Sequence, residues 1–381
     1  MSTIINTRSP FYKKVSNASL FSAKLELSVW TGVIGDKISA DKKYTLKKQA
    51  IGSNTYVSFE LSKLIRDYMI TEYNNYATDT LWIETVTIIY NSSGGTVSTT
   101  TENYLAIDGY GYFEDAINPR SVEYTTPMVL QNNTNVYYND GQDIKIPVYA
   151  EAQTITASLT SSAGADVYWE NVDDFWDAYD VSWGSGATDV IITDDGNTNQ
   201  KIQYVIITDS EDLNDGDYVT FSSTNASYSD IVITLKKVCE PKYTPLNIIF
   251  YNKYGALQNL WFFKKSTTNI NITSEQFKNN IIDFDNSGGS PTYSLSKHQE
   301  KKFLANGKES ITINTGFYEE SFNEIIRQIM LSEQVWVYDG TNTLPINLKS
   351  NTLQFKKSVN EKLIAYTVQF DYAFDKINNI Q

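Results

Sequence analysis

The side chains that usually carry proton transfer and nucleophilic attack are scarce in this chain of 381 residues. It contains one histidine, His298, and one cysteine, Cys239. A Ser-His-Asp triad would have to use His298, and no Gly-x-Ser-x-Gly nucleophile elbow occurs in the sequence. A disulfide within the chain is excluded by count, and so is a zinc site built from histidines or from several thiolates. We therefore expect no catalytic site and an ordinary, exposed His298.

Glycine-rich and acidic segments could bind phosphates or cations instead. The glycine pairs at 94–95 and 288–289 lie in serine-rich turns and lack the Lys-Ser/Thr of a phosphate-binding loop. The acidic segments 194–197 and 209–217 lack the alternate spacing, glycine and distal glutamate of an EF-hand loop. Their composition is typical of solvated hairpin turns. The sequence therefore predicts neither a cofactor site nor a metal site.

The most unusual segment is Val167–Trp183, which reads VYWENVDDFWDAYDVSW. Five of its aromatic residues follow helical spacing with aspartates between them, and they are Trp169, Phe175, Trp176, Tyr179 and Trp183. These side chains could pack on their own domain, anchor a protein partner or form a platform for a sugar. A glycosidase would need two carboxylates held about 5 to 10 Å apart, and nothing in the spacing singles out a pair. All three interpretations stay open.

The rest of the sequence must form the scaffold for this segment. The 17 Phe, 7 Trp and 27 Tyr, with frequent Thr, Ser, Asn and Ile, favour half-buried strands over helices. The length exceeds one ordinary hydrophobic core, and Asn118-Pro119 and the proline-containing run 239–245 mark boundaries. We predict a β-sandwich domain with one helix at 1–118, an acidic immunoglobulin-like domain at 119–240, and a β domain with one amphipathic helix at 241–381. The predicted fold class is thus mainly β, with tandem immunoglobulin-like β-sandwich domains and one short helix in each terminal domain.

Hydrophobic periodicity places the individual elements. The helix in the first domain carries Leu61, Leu64, Ile65, Tyr68 and Met69, with Ser62 as a candidate cap; the last domain has a helix at about Glu319–Ser332. The predicted strands of the first domain are Thr3–Val15, Lys24–Thr31, Tyr44–Lys47, Thr55–Phe59, Leu81–Asn91 and Thr96–Asp108. Those of the second are Ile144–Ala150, Thr154–Thr160, Asp189–Thr193, Ile202–Thr208, Tyr218–Ser222 and Ile231–Lys237. Those of the third are Leu246–Tyr251, Leu257–Lys264, Tyr293–Ser296, Ser310–Thr315, Val335–Tyr338, Leu344–Lys349, Thr352–Lys357 and Leu363–Ala373.

The net charge of −14 is concentrated in one part of the chain. Residues 1–118 carry 11 basic and 12 acidic side chains, residues 119–240 carry 5 and 20, and residues 241–381 carry 15 and 13. A middle section at −15 repels nucleic acid, so we expect no sequence-specific nucleic-acid partner. The first residues lack the apolar core of a secretory signal, and no window approaches the apolar length of a membrane span. We therefore expect synthesis and folding in a cytoplasm and no membrane partner.

Both ends of the chain carry a family resemblance. The residues that carry it are the opening TIINTRSPFYKKV, LELSVWTG and YVSFELSKLIRDYM, and the closing ITINTGFYEESFNEIIRQIMLSEQVWVYDG and LIAYTVQFDYAFDKINNI. These stretches resemble virion structural proteins of tailed phages that infect Bacteroidetes, including crAss-like phages. The resemblance covers the two terminal sections and leaves out the acidic middle section.

The resemblance implies a structural component of the phage tail or neck, such as a connector or ring. Such a protein would be assembled in the host cytoplasm into the virion as a homo-oligomeric ring, with portal, tail or other ring proteins as partners. Closed rings need two complementary patches on each subunit. The alternative is a receptor- or carbohydrate-binding module of the tail that grips through Val167–Trp183. An acid-catalysed polysaccharide depolymerase is a third hypothesis.

Overall fold

The structure is a computed structural model that describes residues 2–76, 80–122, 125–139, 141–151, 153–160, 189–193, 201–207, 213–238, 242–283, 290–350, 352 and 363–377. Over these residues the chain is mainly β with two short α-helices. The predicted class of tandem β-sandwich domains with one short helix in each terminal domain is confirmed. The domain limits near residues 118 and 240 stay predictions.

A five-stranded sheet organises the first section, where the described elements are β1 (Thr3–Asn6), β2 (Tyr12–Ser16), β3 (Ser22–Trp30), β4 (Lys42–Gln49), β5 (Tyr56–Glu60), α1 (Ser62–Arg66), β6 (Leu81–Tyr90) and β7 (Thr96–Ile107). The order in the sheet is β1-β7-β6-β3-β4, and β2 pairs with β5. The strands β6 and β7 form a hairpin, whose turn has Gly94 at φ +81°. Alternate residues of β3, among them Leu25 and Leu27, pack against Phe59 and Ile65 in a closed core.

Two expectations for this section are wrong in detail. The predicted strand Thr3–Val15 is interrupted by a turn in which the backbone N–H of Ser9 donates to the carbonyl of Asn6 at 3.1 Å, and Pro10 offers no backbone donor. Ser62 does not cap the helix. It is the first helical residue, and its hydroxyl donates to the carboxylate of Glu60, with Leu61 at the cap position.

The middle section has the described strands β8 (Asn135–Tyr138), β9 (Ile144–Tyr149), β10 (Thr154–Thr160), β11 (Asp189–Thr193), β12 (Ile202–Ile207), β13 (Tyr218–Ser223) and β14 (Ile231–Lys237). They form a five-stranded sheet in the order β11-β10-β13-β14-β8 and a two-stranded sheet of β12 and β9. The fully buried Ile146, Val148, Ile155 and Phe221 lie in the core between them. All six predicted strands are present to within a residue, whereas β8 was not predicted; it runs parallel to β14.

The last section is built on one large sheet. Its described elements are β15 (Leu246–Tyr251), β16 (Leu257–Phe262), β17 (Thr267–Lys278), β18 (Ile282–Asp283), β19 (Thr292–Tyr293), β20 (Glu300–Asn314), β21 (Tyr318–Glu319), α2 (Asn323–Leu331), β22 (Val335–Tyr338), β23 (Thr343–Leu348), β24 (Leu363–Ile364) and β25 (Thr367–Tyr372). Seven strands pair in the order β16-β15-β22-β23-β25-β20-β17. The predicted strand Thr352–Lys357 lies outside the described residues apart from Thr352.

The helix α2 covers one face of this sheet. Its buried Ile325, Ile326 and Ile329 contact Ile248 and Phe250 of β15, as the predicted amphipathic stripe requires. A short 3-10 turn occupies residues 320–322, so the α-helix begins four residues later than expected. The opposite face of β15 is therefore free to meet other parts of the chain.

The three sections meet around the turn between β15 and β16. Asn252 in this turn is fully buried, and its side-chain amide donates to the carbonyl of Leu130 at 2.6 Å. Gly255 lies at φ +76°, where a Cβ would stand 2.9 Å from the backbone of Asp108. Residues of all three sections share one apolar cluster at this junction, including Trp30, Tyr149 and Tyr254. The turn therefore packs directly against the backbone of the first section, and this close approach requires glycine at position 255.

Candidate interaction surfaces

The five aromatic residues singled out by sequence all lie outside the described residues. These are Trp169, Phe175, Trp176, Tyr179 and Trp183. Cys239 lies there too, as do the acidic segment 194–197 and part of 209–217. His298 lies in the described part and is exposed between β19 and β20, as expected. The structure leaves the three interpretations of Val167–Trp183 open and presents two other surfaces.

The first surface is a two-stranded ribbon formed by residues 270–278 of β17 and 300–309 of β20. The strand β20 pairs with β25 at residues 310–314, and beyond that point β17 and β20 pair with each other and with no other strand that the structure describes. Nine residues of strand span about 30 Å. A two-stranded hairpin alone is at best marginally stable in water. Contact with another molecule would therefore stabilise the ribbon.

Apolar side chains on the ribbon face solvent. Ile270 and Ile272 lie on one face and are 51% and 64% exposed. Phe277 and Phe303 lie nearer the outer end, with ring centroids 6.1 Å apart, and Phe303 is 61% exposed. Beyond the ribbon, Leu295 is 93% exposed. Several large apolar side chains exposed together on one projection are typical of a protein interaction surface.

The base of the ribbon is held by the chain that follows β25. The backbone N–H of Lys376 donates to the carbonyl of Gly307 at 2.7 Å, and the ammonium of Lys376 lies 3.1 Å from the carboxylate of Glu309. Gly307 is buried, and a Cβ there would stand 2.9 Å from Ile270 Cδ1. The two strands slip by one residue beyond Glu275, where Phe303 is the extra residue on β20. The chain after β25 thus holds the inner part, while in the described residues the outer part is held by strand pairing and by the contact between Phe277 and Phe303.

The second surface is a cleft of about 460 Å³ where the three sections meet. Its floor is the face of β15 that points away from α2. Strand pairing places Trp261 of β16 and Tyr338 of β22 on either side of Asn247 of β15. Neighbouring strands are about 4.8 Å apart, so this register places Trp261 and Tyr338 about 10 Å apart. An amide thus lies between two aromatic side chains.

Tyrosines close the inner end of the cleft. The hydroxyl of Tyr76 donates to Asn259 Oδ1 at 2.6 Å, and the rings of Tyr73 and Trp336 lie 5.4 Å apart between centroids. Burial raises the pKa of Tyr76 well above its ordinary value and also raises that of Tyr73. Both hydroxyls therefore remain protonated donors at neutral pH.

Among the described residues, one cation and two carboxylates line the cleft. The ammonium of Lys145 lies 4.2 Å from the ring centroid of Tyr76 and 3.7 Å from Asp143 Oδ2. Burial lowers the pKa of Lys145, and Asp143 partly offsets this shift. Asp339 is exposed and accepts hydrogen bonds from the backbone N–H groups of Thr341 and Asn342. The charge that a ligand would meet is thus small and slightly negative.

The side-chain oxygen of Asn247 lies beneath the floor of the cleft. Asn247 is 4% exposed, and its buried Oδ1 accepts no hydrogen bond from any group in the described residues. Buried polar groups are normally satisfied, so this oxygen is an exception within the described part of the chain.

Both surfaces were missed by the sequence reasoning. The residues of β17 and outer β20 are exposed on both faces, so they show no apolar alternation that would mark a strand. The cleft depends on the registers of three strands and on segments from three sections, which periodicity does not reveal. The aromatic residues at 261 and 338 and the asparagine at 247 were visible, but only as members of predicted strands.

Within the described ranges, no three or more His, Cys, Asp and Glu side chains come together as a group that could hold a metal ion. No α-helix in the described part of the chain has the length and apolarity needed to cross a membrane.

Comparison with known proteins does not assign a family. No protein-family model matches the chain, and no curated protein matches it in sequence.

Proposed function

We propose that this chain is a non-catalytic structural subunit that works by protein–protein contact, as a ring or connector component in the tail or neck of a tailed phage. In this proposal the subunit is assembled in the host cytoplasm and forms a homo-oligomeric ring in the virion, next to portal, tail or other ring proteins. The observation that carries the proposal is the ribbon. The phage context comes from the resemblance at the two ends of the chain.

The ribbon supports assembly because its marginal strand pairing and exposed apolar side chains are energetically unfavourable in a lone subunit. No third described strand pairs with its outer half, and Ile272 and Phe303 are largely exposed. A neighbour that covered these side chains would bury apolar surface, which contributes about 25 cal/mol for each Å² removed from water. It would also fix the marginal hairpin. A projecting ribbon that fits a neighbour is one of the two patches that a closed ring requires.

Charge favours a head-to-tail contact. Residues 276–302 carry four lysines and three acidic side chains, so the outer end of the ribbon has a net charge of +1. The middle section carries 5 basic and 20 acidic residues. Opposite fields steer two copies together and fix their orientation. The middle section of the next copy is therefore the proposed docking surface for the ribbon.

The test is the particle size of the full chain, alone and mixed with the portal and tail proteins of the same phage. Light scattering after gel filtration and negative-stain electron microscopy would measure it. We expect ring-sized particles or co-assembly for the unaltered protein. Ile272→Lys combined with Phe303→Lys should leave monomers that still fold.

Ile51→Lys is the matched control. Ile51 is 81% exposed in the turn between β4 and β5, so the substitution adds the same charge to another exposed isoleucine. It should assemble normally. An unaltered protein that stays monomeric in every mixture would refute the proposal, as would assembly that survives both ribbon substitutions.

A further inference from the structure

We propose that two copies of this chain pair through the free edge of β17 at residues 267–275, so that the sheet continues across a two-fold axis. The contact is an antiparallel strand pair formed by the same segment of each copy, which is an isologous interface. It uses the backbone of the inner ribbon, whereas the proposed ring contact joins the ribbon to the middle section of the next copy. The inference therefore does not depend on the proposed role in assembly.

Backbone groups of alternate β17 residues point to the free edge. On β20, the carbonyl of Gly307 accepts from the backbone N–H of Lys376 at 2.7 Å, and the N–H of Gly307 donates to Asn306 Oδ1 at 2.8 Å. Gly307 therefore makes no backbone bond with Ile272, which lies opposite it on β17. The same holds for every second residue of an antiparallel pair. The β17 residues that turn their N–H and C=O groups to the free edge are Thr268, Ile270, Ile272 and Ser274.

This edge lacks the features that usually protect an exposed strand. Sheet edges normally carry lysines, prolines or bulges that prevent pairing with another chain. The edge strand β4 follows this rule, because four of its eight residues are lysines. The edge strand β17 does not, because residues 267–275 contain no lysine, proline or glycine and one charged side chain, Glu275. The register slips beyond Glu275, so this unprotected stretch is also the regular part of the edge.

The order of side chains along the edge is symmetric about Asn271, and this symmetry identifies the partner as a second copy. Ile270 and Ile272 flank Asn271, and both are exposed in the single chain. An antiparallel pair centred on Asn271 places Ile270 of each copy opposite Ile272 of the other. Each such pair exchanges two backbone hydrogen bonds and brings two β-branched side chains together. The contact thus satisfies the free edge and gathers four isoleucines on one face.

The polar positions fit the same register. The pairs that they form across the axis are Asn271 with Asn271, Asn269 with Thr273, Thr268 with Ser274 and Thr267 with Glu275. Each pair joins side chains that can hydrogen-bond, and no like charges lie opposite each other. Moving the axis to Ile270 or Ile272 would leave a single isoleucine pair. Asn271 is therefore the preferred centre.

Cysteine cross-linking of the full chain tests the register. In a Cys239→Ser background, Asn271→Cys places two cysteines opposite each other with their Cα atoms about 4.5 Å apart, within the range of a disulfide. Thr273→Cys is the matched control, because Thr273 is exposed on the same face but its two copies would lie about 13 Å apart along the strands. Under mild oxidation we expect a disulfide-linked dimer from Asn271→Cys and little from Thr273→Cys. A yield from Asn271→Cys that does not exceed that of the control would overturn the proposal.

Proline substitution tests the backbone bonds. Ile272→Pro removes an N–H that faces the free edge and no bond to β20, so the chain should still fold, as circular dichroism would check. Sedimentation velocity should show a dimer for the unaltered protein and a dissociation constant about tenfold higher or more for Ile272→Pro. Ile272→Val keeps the N–H and a β-branched side chain, so it should dimerise normally. An unaltered protein that stays monomeric at submillimolar concentration would overturn the proposal.

Particle size separates this contact from the proposed ring. Phe303→Lys changes the outer ribbon and leaves residues 267–275 intact, so it should retain the dimer. Dimers that cross-link through Asn271→Cys but never grow into rings, alone or with partner proteins, would support this proposal and refute the proposed function. Ring-sized particles that lack this cross-link would overturn the two-fold contact and leave the proposed function standing.

Discussion

The close packing of the turn between β15 and β16 against the first section predicts how much stability Gly255→Ala loses. Gly255 has φ +76°, and a Cβ there would stand 2.9 Å from Asp108 C and 3.0 Å from Gly109 N. Alanine in the left-handed region costs about 1 to 2 kcal/mol. The neighbouring atoms belong to the backbone and cannot rotate away, so overpacking adds about 1 to 3 kcal/mol. The expected loss of unfolding free energy is therefore about 2 to 5 kcal/mol.

Gly94→Ala is the control that introduces the backbone strain without the steric contact made at position 255. Gly94 has a closely similar φ of +81°, also lies in a hairpin turn, and has no atom within 4 Å of the added Cβ. It should lose only the strain of about 1 to 2 kcal/mol. Asparagine tolerates the left-handed region, so Gly94→Asn should be nearly neutral while Gly255→Asn keeps the steric cost.

Urea unfolding followed by tryptophan fluorescence is the assay. Trp30 and Trp82 lie in the apolar cluster at the junction and report on its opening. The difference between the two alanine variants should be about 1 to 3 kcal/mol, from midpoints compared at equal slope. Equal losses of unfolding free energy for Gly94→Ala and Gly255→Ala would refute this reasoning, because the steric contact of residue 255 with the first section would then cost nothing.

Three further predictions concern the junction, pH and calcium. Asn252→Ala should lower the unfolding free energy by about 2 to 4 kcal/mol because it orphans buried partners such as the Leu130 carbonyl, whereas Asn54→Ala, at an exposed position in the turn between β4 and β5, should stay within about 0.5 kcal/mol in urea unfolding. Burial raises the pKa of Asp108, so the folded state holds the proton of this carboxyl more tightly, and the unfolding free energy falls as pH rises from about 4. Asp108→Asn should reduce this pH dependence in unfolding curves measured across pH. An unchanged dependence of the unfolding free energy on pH would contradict the prediction. Calcium or a chelator should leave the melting temperature unchanged, since the acidic segments lack the spacing of an ion site, and a shift of several degrees would contradict this.

The sequence was most informative where one face of a strand is buried. The strands Thr154–Thr160, Ile231–Lys237 and Leu246–Tyr251 agree with the structure at both ends, because inward residues alternate with outward ones or form a continuous apolar run. The helical stripe that includes Ile325 and Ile329 was equally clear.

The sequence did not reveal strands in which burial produces no hydrophobic periodicity. The ribbon is exposed on both faces, so its residues read as a polar loop. The four residues of β8 are only partly buried except for Tyr138. The predicted strand Leu363–Ala373 breaks before Thr367, because the backbone N–H of Tyr366 donates to the hydroxyl of Thr315 at 2.8 Å. Each feature is decided by contacts between distant segments, and local sequence does not encode them.

The parallel pairings in the first two sections have a consequence for the nascent chain. β1 pairs with β7, so Ile4 must remain unpaired until Leu105, roughly 100 residues later, has left the ribosome. In the same way β8 waits for β14. During synthesis, β1 and β8 therefore lack their strand partners until most of their own section has left the ribosome. A chain truncated before residue 104 would keep that edge permanently and would be prone to aggregate through it.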